Sequence, residues 1–225
     1  MDFHLQPGKL TDIFLKTPLL SFKKGQLIFL LDIFANHNIF YLKSGFVRTY
    51  TLLSSGGQKI YIFYKPGEIF PISLMFADNP RTIFYEAVND VQIYKMTKAQ
   101  FMKNVSDDPI MLTDLMKRLV HLQYIYMDRI ENLEHTSAYA RVIMSLITSA
   151  LRFGIDSKEG IVIQIPLSHS DIANTTGMSR ETASREIEKL VAKKLIANHN
   201  HLFIIFEINR LKMELENFSE RRNLT

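Results

Sequence analysis

Residues 171–190 read DIANTTGMSRETASREIEKL, two short helical patterns on either side of a lone glycine. Gly177 can turn the chain without a Cβ clash, because glycine accepts positive φ angles. Ser168 is placed to cap the helix before the turn, with Asp171 three residues later as an acidic form of the capping box. Ser179 is placed to cap the helix after the turn. The stretch therefore predicts two helices joined by a tight turn.

The second helix, at about residues 179–192, is predicted to be amphipathic. Because successive residues advance by about 100° around a helix, one face gathers small and apolar side chains. That face holds Ala183, Ile187, Leu190 and Val191. The opposite face holds Glu181, Arg185 and Glu188, with Ser184 on its flank. Arg180 lies nearer the apolar face, but from the first turn its side chain can project past the helix end.

The exposed face has the chemistry of a DNA reader. An arginine can bind guanine O6 and N7 in the major groove, and a glutamate can accept from the cytosine amino group. Charged residues on a helix are usually only solvated, so this face counts as a signal only together with its surroundings. The surroundings are the two caps, the glycine turn, small Ala173 where two helices must cross closely, and the hairpin that follows.

The flanking sequence predicts a winged helix-turn-helix. The segment AYARVIMSLITSAL at 138–151 is a helical pattern, and we expect Gly154 to end that helix as a left-handed cap. A short strand, IVIQIP at 161–166, precedes the two helices, and IANHNHLFIIFEI at 196–208 follows them as a hairpin. The pair His199 and His201 invites a metal interpretation, but a polar hairpin tip close to DNA phosphates is the better one.

The N-terminal half predicts short strands. From Ser21 to Met96 the chain consists of runs rich in Ile, Phe, Tyr and Val between glycine turns. SSGGQ at 54–58 is typical of a hairpin, because paired glycines supply positive φ angles. The expected fold class is α+β, with an N-terminal double-stranded β-roll of jelly-roll type, a long dimerisation helix and a C-terminal winged helix-turn-helix. The expected domains are 1–106, 107–135 and 136–225.

The central segment predicts a long amphipathic helix from Pro109 to Leu133. Apolar residues recur at intervals of 3 or 4, and we predict that they form a dimer seam. They are Leu112, Leu115, Leu119, Leu122, Tyr126, Ile130 and Leu133. An apolar stripe of this kind is more often an intramolecular packing surface. We favour the dimer because the helix, at about seven turns, is longer than the stretch that half of a small roll is expected to cover. The pair Asp107-Asp108 before it is interpreted as helix-start chemistry.

Composition excludes several classes of protein. The chain has no cysteine, so an iron–sulfur cluster, a thiolate metal site and a thiol nucleophile are excluded. Its net charge of +4 permits a polyanionic partner without requiring one. We find no metal quartet, phosphate loop, nucleophile motif or paired carboxylates in a plausible setting, so an enzyme is not expected. No membrane span or secretion signal is predicted, and the expected location is the cytoplasm. A haem held by a lone histidine remains open, without a supporting motif.

With these elements in place, the chain resembles the Crp/Fnr family of bacterial transcription regulators. The resemblance covers nearly all 225 residues, and its most specific part is DIANTTGMSRETASREIEKLVAKKLI at 171–196, with D-I-A, a glycine turn and S-R-E-T-x-S/G-R. It implies base reading by Arg180, Glu181 and Arg185, with a further contact from Ser184. The full set of expected DNA-binding residues is Ser179, Arg180, Glu181, Thr182, Ser184 and Arg185. The resemblance also implies an inverted-repeat operator with half-sites close to TGTGA or TTGA.

The sensor half matches the family less completely. The family's cyclic-nucleotide pocket carries Gly-Glu-Leu, and those positions here hold Pro71, Ile72 and Ser73. Isoleucine cannot accept a hydrogen bond from a ribose hydroxyl, so cyclic AMP is not expected. The effector-binding candidates are Gly67, Glu68, Arg81 and Thr82. Arg81 can pair with a phosphate or a carboxylate, or it can be an ordinary solvated arginine.

These features lead to one expected function and two alternatives. We expect a homodimeric regulator that binds double-stranded DNA, with RNA polymerase as a further partner and an unknown small molecule as an effector. One alternative is a ligand-binding regulatory module that acts through protein contacts. The other is a family member that needs no effector. Whether the protein activates or represses depends on where its operator lies, which the sequence does not say.

Overall fold

The computed structural model describes residues 8–31, 38–54, 56–72, 75, 82–134 and 137–223. The chain divides into two compact units. The first comprises Met1–Leu52 and Ile60–Tyr126, and the second comprises Leu53–Lys59 and Met127–Thr225. The predicted long helix therefore contributes to both units, since the division falls within it.

The first unit is built mainly from short antiparallel strands, as expected. They are β1 (Leu19–Phe22), β2 (Leu27–Leu31), β3 (Asn38–Ser44), β4 (Val47–Leu52), β5 (Gln58–Tyr64), β6 (Ile69–Phe70), β7 (Ile83–Ala87) and β8 (Val91–Thr97). One sheet has the order β1-β8-β3-β6 and the other the order β2-β7-β4-β5. Buried and partly exposed residues alternate along β7, so its inner side chains face the core. This is the predicted β-roll.

Aromatic rings form the interior of the roll. The ring of Phe29 stacks on that of Tyr85 at 4.1 Å and on that of Phe40 at 4.8 Å between centroids. The ring centroid of Phe70 lies 4.9 Å from that of Tyr64 and 5.7 Å from that of Tyr85. Stacked rings of this kind contribute about 0.5–1.5 kcal/mol per pair beyond their buried area. The rings belong to one buried cluster with apolar residues of both sheets.

Helices precede and follow the strands of this unit. A short helix α1 (Lys9–Asp12) continues into a 3₁₀ turn at Ile13–Lys16, and α2 (Lys98–Ser106) follows β8. The long helix α3 spans Pro109–Glu134, close to its expected bounds. Asp108 caps it, because its carboxylate accepts from the backbone N–H groups of Ile110 and Met111 at 2.9 and 3.2 Å. The interpretation of Asp108 as helix-start chemistry is confirmed.

One face of α3 packs inside the first unit. Leu115 and Leu122 are 2% and 7% exposed, because they lie in the buried clusters of the roll. Leu119 and Tyr126 are half-buried against the same clusters. This corrects the predicted dimer seam at two positions: Leu115 and Leu122 complete the core of their own chain and are not available to a second chain, whereas Leu119 and Tyr126 are only partly covered.

The other face of α3 is apolar and exposed. Its large side chains are between 44% and 60% accessible. We call them the exposed row: Leu112, Met116, Val120, Tyr124, Met127 and Ile130. Two residues of the predicted seam, Leu112 and Ile130, belong to this row. A third, Leu133, is half-buried and lies beside Gly177 in the second unit.

The second unit has the predicted winged-helix order with two additions. Its elements after α3 are α4 (Ala138–Phe153), β9 (Gly154–Ser157), β10 (Gly160–Ile163), α5 (His169–Thr176), α6 (Arg180–Ala192), β11 (Ile196–His199), β12 (Leu202–Ile205) and α7 (Ile208–Asn223). The strands form a sheet in the order β11-β12-β10-β9. The hairpin β11–β12 is the predicted wing, whereas β9 and α7 were not predicted.

Gly154 ends α4 but not as a left-handed cap. Its φ and ψ are −79° and 147°, which is extended backbone that starts β9, so the expected cap conformation is wrong. Glycine is needed there for a different reason. A Cβ at this position would lie 2.2 Å from the carbonyl oxygen of Ala150 and 2.5 Å from the side chain of Ile161. The helix therefore turns directly into a strand that packs against it.

The additional helix α7 packs against α4. The Tyr139 hydroxyl donates to Glu214 at 2.9 Å, and the Tyr139 ring lies 5.1 Å from that of Phe218. Lys193, just after α6, binds the same Glu214 carboxylate at 2.5 Å. Burial raises the pKa of Tyr139 to about 12, with Lys193 opposing this and Glu214 adding to it. These contacts join the C-terminal end of α6 to α4 and α7.

Candidate nucleic-acid interface

The turn between α5 and α6 has the predicted local chemistry. Ser168 caps α5 and accepts from the N–H of Asp171, whose carboxylate accepts in return from the Ser168 N–H at 2.9 Å. Gly177 follows α5 with φ 67° and ψ 46°, a left-handed conformation that favours glycine. Ser179 caps α6 by accepting from the N–H of Thr182 at 3.2 Å. Both predicted caps and the predicted turn are confirmed.

The two faces of α6 agree with the predicted pattern at most positions. Ala183, Ile187 and Leu190 are fully buried against the rest of the second unit. The charged side of the helix stays accessible to solvent. Its exposed residues include Arg180, Glu181, Arg185 and Glu188. Val191 was expected on the buried face and is instead 42% exposed, in the last turn of the helix. The helix is therefore anchored by an apolar underside and presents charges outward.

The first turn of α6 presents a carboxylate. Glu181 is fully exposed, and hydrogen bonds from its own backbone N–H and from Ser179 hold the pKa of its carboxyl below its usual range, with Arg180 adding to the effect. It is therefore ionised at neutral pH and can only accept hydrogen bonds. Thr182 is partly used by the cap, since its hydroxyl lies 3.0 Å from that of Ser179.

A buried acid lies next to the predicted base-reading arginine. Glu186 is 4% exposed although it lies on a helix rich in charge. One of its oxygens is 3.2 Å from Arg185 Nε, and the other is 2.6 Å from Lys189 Nζ. A buried carboxylate requires such partners to offset its loss of hydration. Sequence patterns missed Glu186, because a Glu between Arg and Ile is usually solvated.

The N-terminal ends of α5 and α6 and the wing border an open pocket of about 450 Å³. The residues that line it have polar side chains, among them an arginine and two histidines: Ser168, His169, Ser170, Arg180, Asn198, Asn200 and His201. Arg180 therefore borders the same pocket as residues of the wing. The wing tip residues Asn200 and His201 have positive φ angles of 52° and 67°, which form the tight turn of the hairpin.

The effector candidates of the roll have mostly structural partners. Gly67 has φ 92° in the turn before β6, and its carbonyl accepts from Arg118 at 3.0 Å. Glu68 is buried, and its carboxylate accepts from the Lys65 N–H of the same turn at 3.0 Å. Thr82 is exposed, and its carbonyl accepts from the Thr51 hydroxyl. We therefore assign Gly67 and Glu68 a role in the turn. Arg81 lies outside the described residues.

Of the segment that corresponds to the family's Gly-Glu-Leu, the structure describes Pro71 and Ile72. Ile72, at the position of the family's ribose acceptor, is an apolar residue that is 4% exposed and packs in a buried cluster. The interior between the sheets contains the stacked rings described above, and Tyr85 is buried so deeply that the pKa of its hydroxyl is raised far above its usual range. Ser73 lies outside the described residues.

Within the residues whose placement is described, no group of three or more His, Asp or Glu side chains is arranged to hold a metal ion. No described helix is long and apolar enough to cross a membrane.

Known proteins resemble the chain in both halves. A family model described as a cyclic nucleotide-binding domain matches residues 19–108, and one described as a Crp-like helix-turn-helix domain matches residues 140–214. The global nitrogen regulator of Synechococcus elongatus is 27% identical over 192 residues, which cover 83% of this chain and 84% of the relative. The nitrogen fixation regulation protein FixK of Rhizobium meliloti is 27% identical over 163 residues, which cover 72% and 70%.

The fold agrees with these sequence matches. The solved structure of FixK2 from Bradyrhizobium japonicum has a TM-score of 0.74 to this chain at 22% identity, and covers 87% of this chain and 96% of that chain. The two matched domains follow each other in the order that the roll and the winged helix-turn-helix have in the structure. The chain therefore belongs to the Crp/Fnr family of DNA-binding transcription regulators.

Proposed function

We propose that this regulator is a homodimer that binds an inverted-repeat operator through α6. The observation that carries the proposal is the exposed set Arg180, Glu181 and Arg185 above an apolar underside that holds the helix in place. Arginines and a carboxylate at the N-terminal part of such a helix match the donors and acceptors that base edges present in the major groove. The family resemblance supports half-sites close to TGTGA or TTGA.

The exposed row of α3 supports the dimer. Six large apolar side chains recur at intervals of 4, 4, 4, 3 and 3 residues along one face of a 26-residue helix. A contiguous apolar face of this length is unusual on a monomer and typical of a helix pair. A two-fold axis along this face relates two copies of α6, one from each chain. An operator for such a dimer has two half-sites whose centres are about one helical turn of DNA apart.

Regulation of the roll is proposed to be independent of cyclic AMP. The turn containing Gly67 and Glu68 uses its polar groups internally, and Ile72 offers no acceptor for a ribose hydroxyl. Either a different small molecule binds elsewhere in the roll, or the protein acts without an effector. RNA polymerase remains the proposed protein partner, through a surface that we do not assign.

The proposal is tested by selecting binding sites from random duplex DNA with the purified full chain. We expect an enriched inverted repeat with G·C pairs in each half, and a complex that contains two chains and one duplex. Sedimentation at micromolar concentration gives the mass of the free protein. Selection that enriches no sequence, from protein that is folded by circular dichroism, would contradict specific DNA binding. It would favour the alternative of a module that acts through protein contacts.

A further inference from the structure

Four elements of the winged helix meet at the side chain of His169. This residue is the first of α5. Its Nδ1 lies 2.8 Å from Ser184 Oγ on α6, and its Nε2 lies 3.3 Å from Asn198 Nδ2 on β11. The ring also lies over that of Phe203 in β12, with 6.4 Å between centroids. One imidazole therefore links the reading helix to the wing.

The two contacts select one form of the ring. In this arrangement the Asn198 amide is a donor, so Nε2 must accept from it with its lone pair. A neutral imidazole then carries its proton on Nδ1 and donates to Ser184 Oγ. Because that oxygen now accepts from the ring, the hydroxyl hydrogen of Ser184 is left for another acceptor. With the opposite tautomer, the serine would donate to the ring and could only accept from DNA.

Nearby charges agree with a neutral ring. Burial lowers the pKa of His169 from its usual value, and the Arg180 guanidinium on α6 lowers it further. Glu188 on α6 opposes this lowering more weakly than Arg180 adds to it, and His201 on the wing has the smallest effect, which also lowers the pKa. At neutral pH the ring is therefore uncharged, and its two nitrogens have the distinct donor and acceptor roles given above.

We propose that His169 is a positioning residue for DNA reading, which makes the Ser184 hydroxyl a donor and ties the wing to the reading helix. The inference rests on the proposed function, because it concerns how α6 meets an operator. It adds a specificity role at a residue outside the reading helix. Ser184 would then favour a base or phosphate oxygen that accepts, such as guanine O6 or thymine O4.

Two substitutions separate the two bonds. In His169→Asn the amide nitrogen can occupy the place of Nδ1, so the donor to Ser184 is kept and the wing contact is lost. In His169→Gln the longer side chain brings its amide near the place of Nε2, so the wing contact is kept and the bond to Ser184 is lost. Lys158→Ala is the control, since Lys158 is an exposed residue of the turn between β9 and β10.

The measurement is operator affinity of the full chain for the selected site and for each single base-pair change in it. We expect His169→Gln to weaken operator binding roughly 3- to 10-fold, the effect of about one hydrogen bond, and to relax preference at one base pair. His169→Asn should keep that preference. In a Ser184→Ala background, His169→Gln should have little further effect. Lys158→Ala should leave the base preference unchanged.

Two results would overturn the inference. One is equal base preference for the Asn and Gln variants, and the other is an unchanged effect of His169→Gln in the Ser184→Ala background. Circular dichroism and the unfolding midpoint of each variant show whether it is folded. If Arg185→Ala loses selectivity while both His169 variants behave like wild type, the inference fails and the proposed function stands. If the wild-type chain selects no DNA, the proposed function itself fails.

Discussion

The buried carboxylate of Glu186 lies 3.2 Å from Nε of Arg185, the exposed residue that follows Ser184 on the reading helix. Nε is the nitrogen of the guanidinium nearest the main chain. When a carboxylate occupies it, the two terminal nitrogens remain for a bidentate contact with a base. Glu186 also binds Lys189, so one buried acid orients two cations on the surface that we propose to meet DNA.

The substitution Glu186→Gln tests this orientation. It keeps the shape of the side chain but removes one negative charge beside two cations. We expect tighter binding to non-specific DNA, because the net positive charge near the phosphates rises, and a lower ratio of specific to non-specific affinity. Affinities for operator and scrambled duplex, measured at several salt concentrations, give both quantities. An unchanged ratio would mean that Glu186 does not orient Arg185.

Arg185→Ala should remove a base contact. We expect a cost of about 1–3 kcal/mol in discrimination and a relaxed preference at one base pair of each half-site. Non-specific binding should fall much less. Lys158→Ala is the control, because Lys158 is equally a surface cation but lies in the β9–β10 turn. If the mutant kept the wild-type ratio of specific to scrambled binding, Arg185 would not read a base.

Opposite faces of α3 should respond differently to substitution. Met116→Glu places a charge in the exposed row, so we expect the protein to become monomeric while the roll stays folded. Leu115→Ala leaves a cavity in the roll core, so we expect a loss of about 2–5 kcal/mol in the free energy of unfolding. Sedimentation and denaturant titration distinguish the two outcomes. A Met116→Glu protein that remained dimeric would place the interface elsewhere.

Acid should destabilise the folded chain through His169. Because the folded-state pKa of His169 is lowered, the unfolded state binds the proton more readily. The stability is therefore complete above the unfolded pKa of about 6.5 and is lost as the pH falls through the folded pKa. Unfolding midpoints between pH 7.5 and pH 5 should fall more for wild type than for His169→Phe. If the unfolding midpoints of the two proteins fell equally with pH, His169 would not be the source of the acid sensitivity.

Local sequence was sufficient to predict the helix-turn-helix formed by α5 and α6. The caps at Ser168 and Ser179 and the turn at Gly177 depend on residues within a few positions of each other, so they were predictable. The roles of the two faces of α3 could not be predicted in the same way. Spacings of 3 and 4 starting from Leu112 fit either Leu115 or Met116, and which face meets the roll depends on distant strands. The predicted seam therefore includes Leu115 and Leu122, which fill the core of the roll.

Other features depended on contacts between distant parts of the chain. Gly154 reads as a helix-ending glycine, but the requirement comes from Ile161 on the neighbouring strand. The burial of Glu186 follows from packing of α6 and cannot be read from a charged segment. The helix α7 had a usable signal that was overlooked, since Ile208, Leu211, Leu215 and Phe218 recur at intervals of 3, 4 and 3.

The double use of α3 has a thermodynamic consequence. A single helix closes the roll with Leu115 and Leu122 and carries the exposed row on its other side. If two chains pair along that row, melting of the roll also separates them, and mass action then raises the melting temperature with protein concentration. Dilution would loosen each roll as well as the pair. The lifetime of the folded regulator in the cell would then depend on how much of it has been made.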